Sequence, residues 1–309
     1  MYKEKYILSM TTVPCRKKGV VKSIESLLKQ SFNDFYKICI NIDDYMSSDD
    51  YNFYFQLKEL DERIEVNICD KKWRSCNKLI PTLIKYPNDV IITVDDDIYY
   101  PEHAILKLIE KYIENKDCII SHAVAPILTS DKNFVKILNN SPDVKLEQKQ
   151  YGKYLSCCCL FPPHVFDNTD IFNYNKMIEL TEGTHDELWF WINTVIKGVK
   201  CIGLKYLYEI TGTYCIWGAS EGDYALCVTN REKWDFFDKK IIEMYGERLN
   251  EAISKEKVEF KLTCDNIYSF LFQLDTFNEC YKENYKINTD ELDMSYKWLL
   301  SQYITELEK

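Results

Sequence analysis

Five consecutive residues with no charged or amide side chain, Val90-Ile91-Ile92-Thr93-Val94, run directly into three aspartates, Asp95-Asp96-Asp97. A strand without polar alternation has to be covered on both faces, as parallel strands are inside an α/β sandwich. The flanking pattern agrees. Tyr6–Met10, the periodic Val20–Gln30, Tyr36–Ile42, Tyr51–Leu60 and Ile64–Cys69 follow one another at short intervals as strand-like and helix-like stretches. An amphipathic Lys78–Lys85, a helix opened by Pro101 at its first turn and a strand at Cys118–Ala123 continue the series. The pattern predicts an α/β chain with a mostly parallel central sheet flanked by helices.

Beyond this core the grammar loosens. Residues Ser130–Lys149 turn polar, with Asn139-Asn140-Ser141-Pro142 as a turn cluster, and are expected to form a surface excursion. A second stretch resumes with a strand at Tyr154–Phe161, a helix at Asp186–Lys197 capped by Thr184 and stopped by Gly198, and a strand at Cys201–Leu207. Helical patterns dominate from Arg231, at Trp234–Tyr245, Asn266–Tyr281 and Asp290–Leu307. The expected division is an α/β domain over 1–230, with halves 1–125 and 150–230, and a C-terminal helical extension over 231–309.

Composition narrows the partners. Lys and Arg total 39 against 49 Asp and Glu, a net charge of −10, and no basic run is long enough to neutralise a series of phosphates. Nucleic acid is therefore not an expected partner. The nine glycines contain no GxGxxG, and Gly198 and Gly203, at Walker-like spacing, precede Leu204-Lys205 instead of Lys-Ser/Thr. Any bound phosphate must be held by side chains or a metal. The thirteen cysteines form no CxxC, and Met1-Tyr2-Lys3-Glu4-Lys5 has no signal-peptide character. They are expected to be reduced thiols packed as small hydrophobes in a cytoplasmic protein. No apolar run approaches the ~20 residues of a spanning helix, so no transmembrane segment is expected, while peripheral membrane association through a local basic patch stays open.

Two acidic clusters carry the chemical signal. In an open parallel sheet, ligands bind just beyond the carboxyl ends of strands, where Asp95-Asp96-Asp97 fall. Period-two geometry puts Asp95 and Asp97 on one side and Asp96 on the other, and such neighbouring carboxylates repel unless a cation offsets them. A hard divalent ion, Mn2+ or Mg2+, bridging them to a diphosphate is the natural partner; a solvated acidic turn is the alternative. The second cluster is His185-Asp186-Glu187. Its acids either compensate a helix dipole or hold a general base, and His185 is either a metal or supporting ligand or a structural imidazole.

The string Lys78-Leu79-Ile80-Pro81-Thr82-Leu83, with Tyr86-Pro87 and Val90 through Pro101, resembles the nucleotide-sugar segment of bacterial GT-A glycosyltransferases of the family 2-like type found in capsule and lipopolysaccharide loci. Tyr6–Arg16 is similar to that family's first strand and nucleotide-binding turn, and Leu160-Phe161-Pro162-Pro163 to its acceptor-side strand. His185-Asp186-Glu187-Leu188-Trp189-Phe190 with Gly198-Val199-Lys200 is similar to its acidic helix and following turn. The resemblance implies a GT-A, Rossmann-like fold and a set of roles. Thr11, Thr12, Pro14 and Arg16 would line the nucleotide pocket, with Asp43 near base or ribose. Lys78 would reach the diphosphate, Asp95 and Asp96 would serve ribose and donor sugar, and Asp97 would be the principal metal ligand, with Asp95 and His185 as further candidates. Asp186 would be the catalytic base, and Glu187 the fallback.

The expected activity is metal-dependent transfer of a sugar from a nucleotide-diphosphate donor, a UDP-sugar, to a saccharide or glycolipid acceptor hydroxyl, with inversion, in surface polysaccharide biosynthesis. A nucleotidyl- or phosphotransferase using the same aspartates, or a non-catalytic sugar-binding module, is the alternative.

Overall fold

The computed structural model describes residues 4–69, 73–122, 124–125, 127–129, 135–137, 149, 151–154, 158–204, 214–215, 230, 233–253, 258–261, 285–288, 290, 294, 297 and 300. In chain order the strands are β1 (Tyr6–Thr11), β2 (Lys37–Asp43), β3 (Ile64–Cys69), β4 (Val90–Val94), β5 (Ile98–Tyr99), β6 (Ile119–Ser121), β7 (Val124–Ala125) and β8 (Ile127–Thr129). They continue with β9 (Val135–Ile137), β10 (Lys153–Tyr154), β11 (Cys158–Phe161), β12 (Cys201–Gly203), β13 (Tyr214–Cys215), β14 (Val258–Lys261) and β15 (Tyr285–Asn288). The helices are α1 (Lys17–Leu28), α2 (Ser48–Gln56), α3 (Ile80–Lys85), α4 (Ala104–Glu114), α5 (Tyr174–Thr181), α6 (Asp186–Lys197) and α7 (Trp234–Ile253).

Seven strands form one sheet in the order β12-β6-β11-β4-β1-β2-β3. All neighbours are parallel except β11, which runs against both β4 and β6. The mostly parallel α/β sheet read from the sequence is thus present. Strand β4 is buried at all five positions. Its Val90, Ile92 and Val94 face one core with Val20, Ile24 and Leu27 of α1 and Ala104, Ile105 and Leu108 of α4. Ile91 faces a second core with Leu188 and Trp189 of α6 and Phe237, Ile241 and Tyr245 of α7. Helices therefore cover both faces, and the recurrence of buried residues at four-residue steps lays one stripe of α4 on the sheet and one stripe of α7 on α5 and α6.

Several boundaries differ from the sequence expectations. Helix α4 begins at Ala104, and Pro101 sits before it, its carbonyl accepting from Ala104 N at 3.0 Å. The single strand expected at Tyr154–Phe161 is two: β10 pairs with β7, while β11 enters the main sheet. Thr184 does not cap α6. His185 holds the cap position without a side-chain capping hydrogen bond, and the Thr184 hydroxyl donates to Thr181 O at 2.9 Å, since it belongs to the tight turn that ends α5. Gly198 does stop α6, in the left-handed region at φ 82°. Strand β12 ends at Gly203, and 205–207 lie outside the described residues. After α7, the described residues add a parallel strand pair, β14 with β15, because Val258–Lys261 and Tyr285–Asn288 pair residue for residue. Most of 130–149 and of the helices expected at 266–281 and 290–307 lies outside the described residues. Eight described cysteines are free thiols, Cys15 exposed and the others buried. No helix among the described residues is long and apolar enough to cross a membrane.

Candidate functional site

The chain adds β2 and β3 on one side of β1 and β4 on the other, so the strand order reverses between β1 and β4. At such a switch point the loops leaving neighbouring strands diverge and open a crevice at their carboxyl ends. Thr11 ends β1, and the loop after it carries Thr12 and a 3-10 turn, Pro14–Arg16, whose start Pro14 preorganises with its fixed φ. Thr11 donates to Asn41 O on β2 at 2.9 Å, and Thr12 is buried beside Asp96. Arg16 reaches across the crevice. Its Nη1 lies 2.7 Å from Asp96 Oδ1 and 3.3 Å from Asp97 Oδ2.

Burial alternates along the triplet, but its sides do not: Asp96 and Asp97, expected on opposite sides, meet the same Arg16 nitrogen, because these residues lie past the end of β4. The Asp96 side chain is 4% exposed, against 26% for Asp95 and 14% for Asp97. Its backbone is fixed from behind: Asp95 N donates to the Tyr100 hydroxyl at 2.7 Å, and Asp95 O accepts from Ser23 Oγ at 2.8 Å. Burial, then the neighbouring Asp95 charge, pushes the Asp97 carboxyl up to about 6 although Arg16 pulls the other way. Burial raises Asp96 as well, against the same guanidinium.

Lys78 joins this cluster to the second one. It ends a 3-10 turn, Arg74–Lys78, and its Nζ lies 2.7 Å from Asp95 Oδ1 and 3.0 Å from Asp186 Oδ2. Burial opposes the ammonium charge, but Asp186 and then Asp95 outweigh it and hold Lys78 well above the usual lysine range. Next to it, Asn77 Nδ2 donates to Asp43 Oδ1 at 2.7 Å, and Asn77 O accepts from Asn41 Nδ2 at 2.8 Å. Asn41 also donates to Thr82 Oγ1, which shares a hydrogen bond with Ser9. A buried polar network thus ties β1, β2 and the turn together beneath the crevice.

Asp186 and Glu187 open α6, where the helix dipole favours carboxylates. Glu187 Oε2 lies 3.2 Å from Nζ of Lys153, a side chain only 3% exposed. His185 packs edge-on to Phe237 of α7 with ring centroids 5.3 Å apart. Burial, with Lys153 adding, pushes its imidazole down to about 3, so the ring is neutral at physiological pH. Trp189 and Trp191 are core side chains, their indole N–H groups donating to Ile171 O and Tyr151 O.

The structure therefore brings Arg16, Asp95, Asp96, Asp97, Lys78 and Asp186 together, with Asp43 attached through Asn77. Glu187 adjoins through Lys153. Among the described residues no three His, Cys, Asp or Glu side chains group as a metal-ligand set, and His185 does not complete one with Asp95 and Asp97. The two aspartates on their own do fit a hard divalent cation: they are oxygen donors crowded enough to raise the proton affinity of Asp97, and further oxygen ligands would complete the shell. Sequence reasoning missed Asn77, Asn41 and Lys153. Nothing local signals them, because each acquires its role from a partner on another element.

No family model matches the chain, and no curated protein matches it. Among solved structures it is similar to S. aureus TarS 1-349, with 11% identity and a TM-score of 0.47, over 89% of this chain and 80% of that one. It is similar also to S. aureus TarS 1-349 in complex with UDP, with 12% identity and a TM-score of 0.46 over the same shares. Likenesses this distant carry no argument about activity.

Proposed function

We propose that the chain is a metal-dependent, inverting glycosyltransferase that moves a sugar from a UDP-sugar to a hydroxyl of a saccharide or glycolipid acceptor, in the cytoplasm, in the building of surface polysaccharide. The observation that carries this reading is the approach of Asp186 to the triplet: both Asp95 and Asp186 contact the one ammonium of Lys78, at the carboxyl edge of a parallel sheet. A solvated acidic turn would not recruit a second carboxylate from a helix N-terminus. The choice of UDP, the acceptor class and the pathway rest on the motif resemblance.

In this reading Thr11, Thr12, Pro14 and Arg16 line the nucleotide pocket, Asp43 meets base or ribose, and Asp95 and Asp96 meet ribose and donor sugar. Asp97, with Asp95, would hold Mn2+ or Mg2+, which when bound offsets charge growing on the leaving diphosphate. His185 is left with a packing role. Asp186 takes the proton from the attacking acceptor hydroxyl, and Glu187 is the second candidate for that task. Holding acceptor and donor in line supplies much of the rate.

Incubating the protein with a panel of nucleotide sugars and Mn2+ should release free nucleoside diphosphate in the presence of acceptor. Pyrophosphate release would point instead to a nucleotidyltransferase, and no turnover to a binding module. Asp186→Asn should keep UDP binding by calorimetry and lose transfer; undiminished transfer would remove Asp186 as the base.

A further inference from the structure

We infer that Lys78 is a positioning residue that sets the base Asp186 against the donor site, and that the turn carrying it couples the two halves of the catalytic crevice. This deepens the glycosyltransferase reading and rests on it. It differs from the phosphate contact implied by the motif resemblance.

The Arg74–Lys78 turn makes contacts in both directions. Toward the donor side, Asn77 Nδ2 holds Asp43 at 2.7 Å and Lys78 Nζ holds Asp95 at 2.7 Å. Toward α6, Lys78 Nζ holds Asp186 at 3.0 Å, Ser75 Oγ donates to Gly183 O at 3.2 Å, and Arg74 Nη1 donates to Glu182 O at 3.1 Å. Glu182 and Gly183 form the turn that delivers the chain into α6, so three successive side-chain grips fix where that helix begins. The anchor itself does not drift: Lys78 O accepts from Ser9 Oγ at 2.6 Å, and its side chain is only 10% exposed. An ammonium spanning two carboxylates in a buried setting fixes both rotamers, because releasing either would leave a charge in a medium that solvates it poorly.

Lys78→Met and Lys78→Arg separate the two roles. Calorimetry with UDP in the absence of metal, which reads a phosphate contact of Lys78 and not its grip on the metal carboxylate Asp95, is expected to give affinities within about threefold of wild type for both variants. Transfer kcat should fall about 100-fold in Lys78→Met, the scale of a misplaced reacting group, and recover in part in Lys78→Arg, which can still span two carboxylates. A parallel loss of UDP affinity and kcat would make Lys78 a diphosphate ligand and overturn the inference while leaving the proposed activity standing. Wild-type protein that releases no nucleoside diphosphate from any nucleotide sugar would overturn both. If Lys78→Met does not fold, the Arg74→Ala/Ser75→Ala double variant, which leaves Lys78 in place, carries the test: lowered kcat with intact UDP affinity supports the coupling, and unchanged kcat overturns it.

Discussion

The three adjacent aspartates are unequal because their surroundings are. Asp96 is sealed against Arg16, Asp95 is paired with Lys78, and Asp97 is left with the longer of the two Arg16 contacts and the repulsion of Asp95. Its folded pKa of about 6 lies above the unfolded value of 3.8, so the folded state binds its proton more tightly. The sign follows: this group's opposition to folding is absent below 3.8, builds as pH rises from 3.8 to about 6, and is complete above 6. Asp97→Asn should therefore be more stable than wild type at pH 7.5, by about 1–2 kcal/mol after allowing for partial exposure, and equal to it near pH 4. Urea titrations at the two pH values measure this, and a variant weakened at pH 7.5 would refute it. The same proton competes with a metal. Mn2+ affinity measured by calorimetry should drop as pH falls below about 6, by roughly tenfold per unit at the limit. That three carboxylates crowd the end of β4 was legible in the sequence. Which cation served which carboxylate was not, since Arg16 and Lys78 come from other segments.

At the scale of elements, the turn between α5 and α6 shows how backbone conformation positions chemistry. Glu182 and Gly183 both adopt positive φ, at 50° and 74°, and a methyl group at Gly183 would lie 2.5 Å from Arg74 Cδ. Gly183→Ala meets both the left-handed strain and that clash, and is expected to cost about 1–2 kcal/mol in urea unfolding, with lower transfer as the Arg74 contact shifts. A variant with an unchanged midpoint would show that the turn relaxes freely. Helix α7 enters the core directly: Phe237 is fully buried and touches His185 edge-on. Phe237→Ala should destabilise by about 3–5 kcal/mol, the range for truncating a buried aromatic, again by urea titration. The α6 helix and its Gly198 stop could be read from the sequence to the residue. Its cap could not, because Thr184 satisfies the preceding turn instead.

For the whole molecule, two buried imidazoles govern the response to acid. His185 is pushed down to about 3 and His122 to about 4, in both cases by burial first, from 6.5 in the unfolded chain. Depressed values mean that their contribution is complete above pH 6.5 and is lost as pH falls, about 2 kcal/mol for each at pH 5. Asp97 acts in the opposite direction between 6 and 3.8 and offsets roughly 1 kcal/mol of this. Stability should thus decline by about 2–3 kcal/mol between pH 7.5 and 5, and a flat profile over that interval would contradict neutral burial of both rings. By itself the sequence determined the layered α/β architecture, the fully buried β4 and the acids at its carboxyl end, because hydrophobic periodicity and strand burial are local properties. Only the tertiary structure decided that β11 runs antiparallel in the middle of the sheet, that His185 is turned into the core, and that Asp95 and Asp186 meet on one lysine. Those outcomes depend on contacts between segments far apart in the chain, whose loop closure and packing no local pattern encodes.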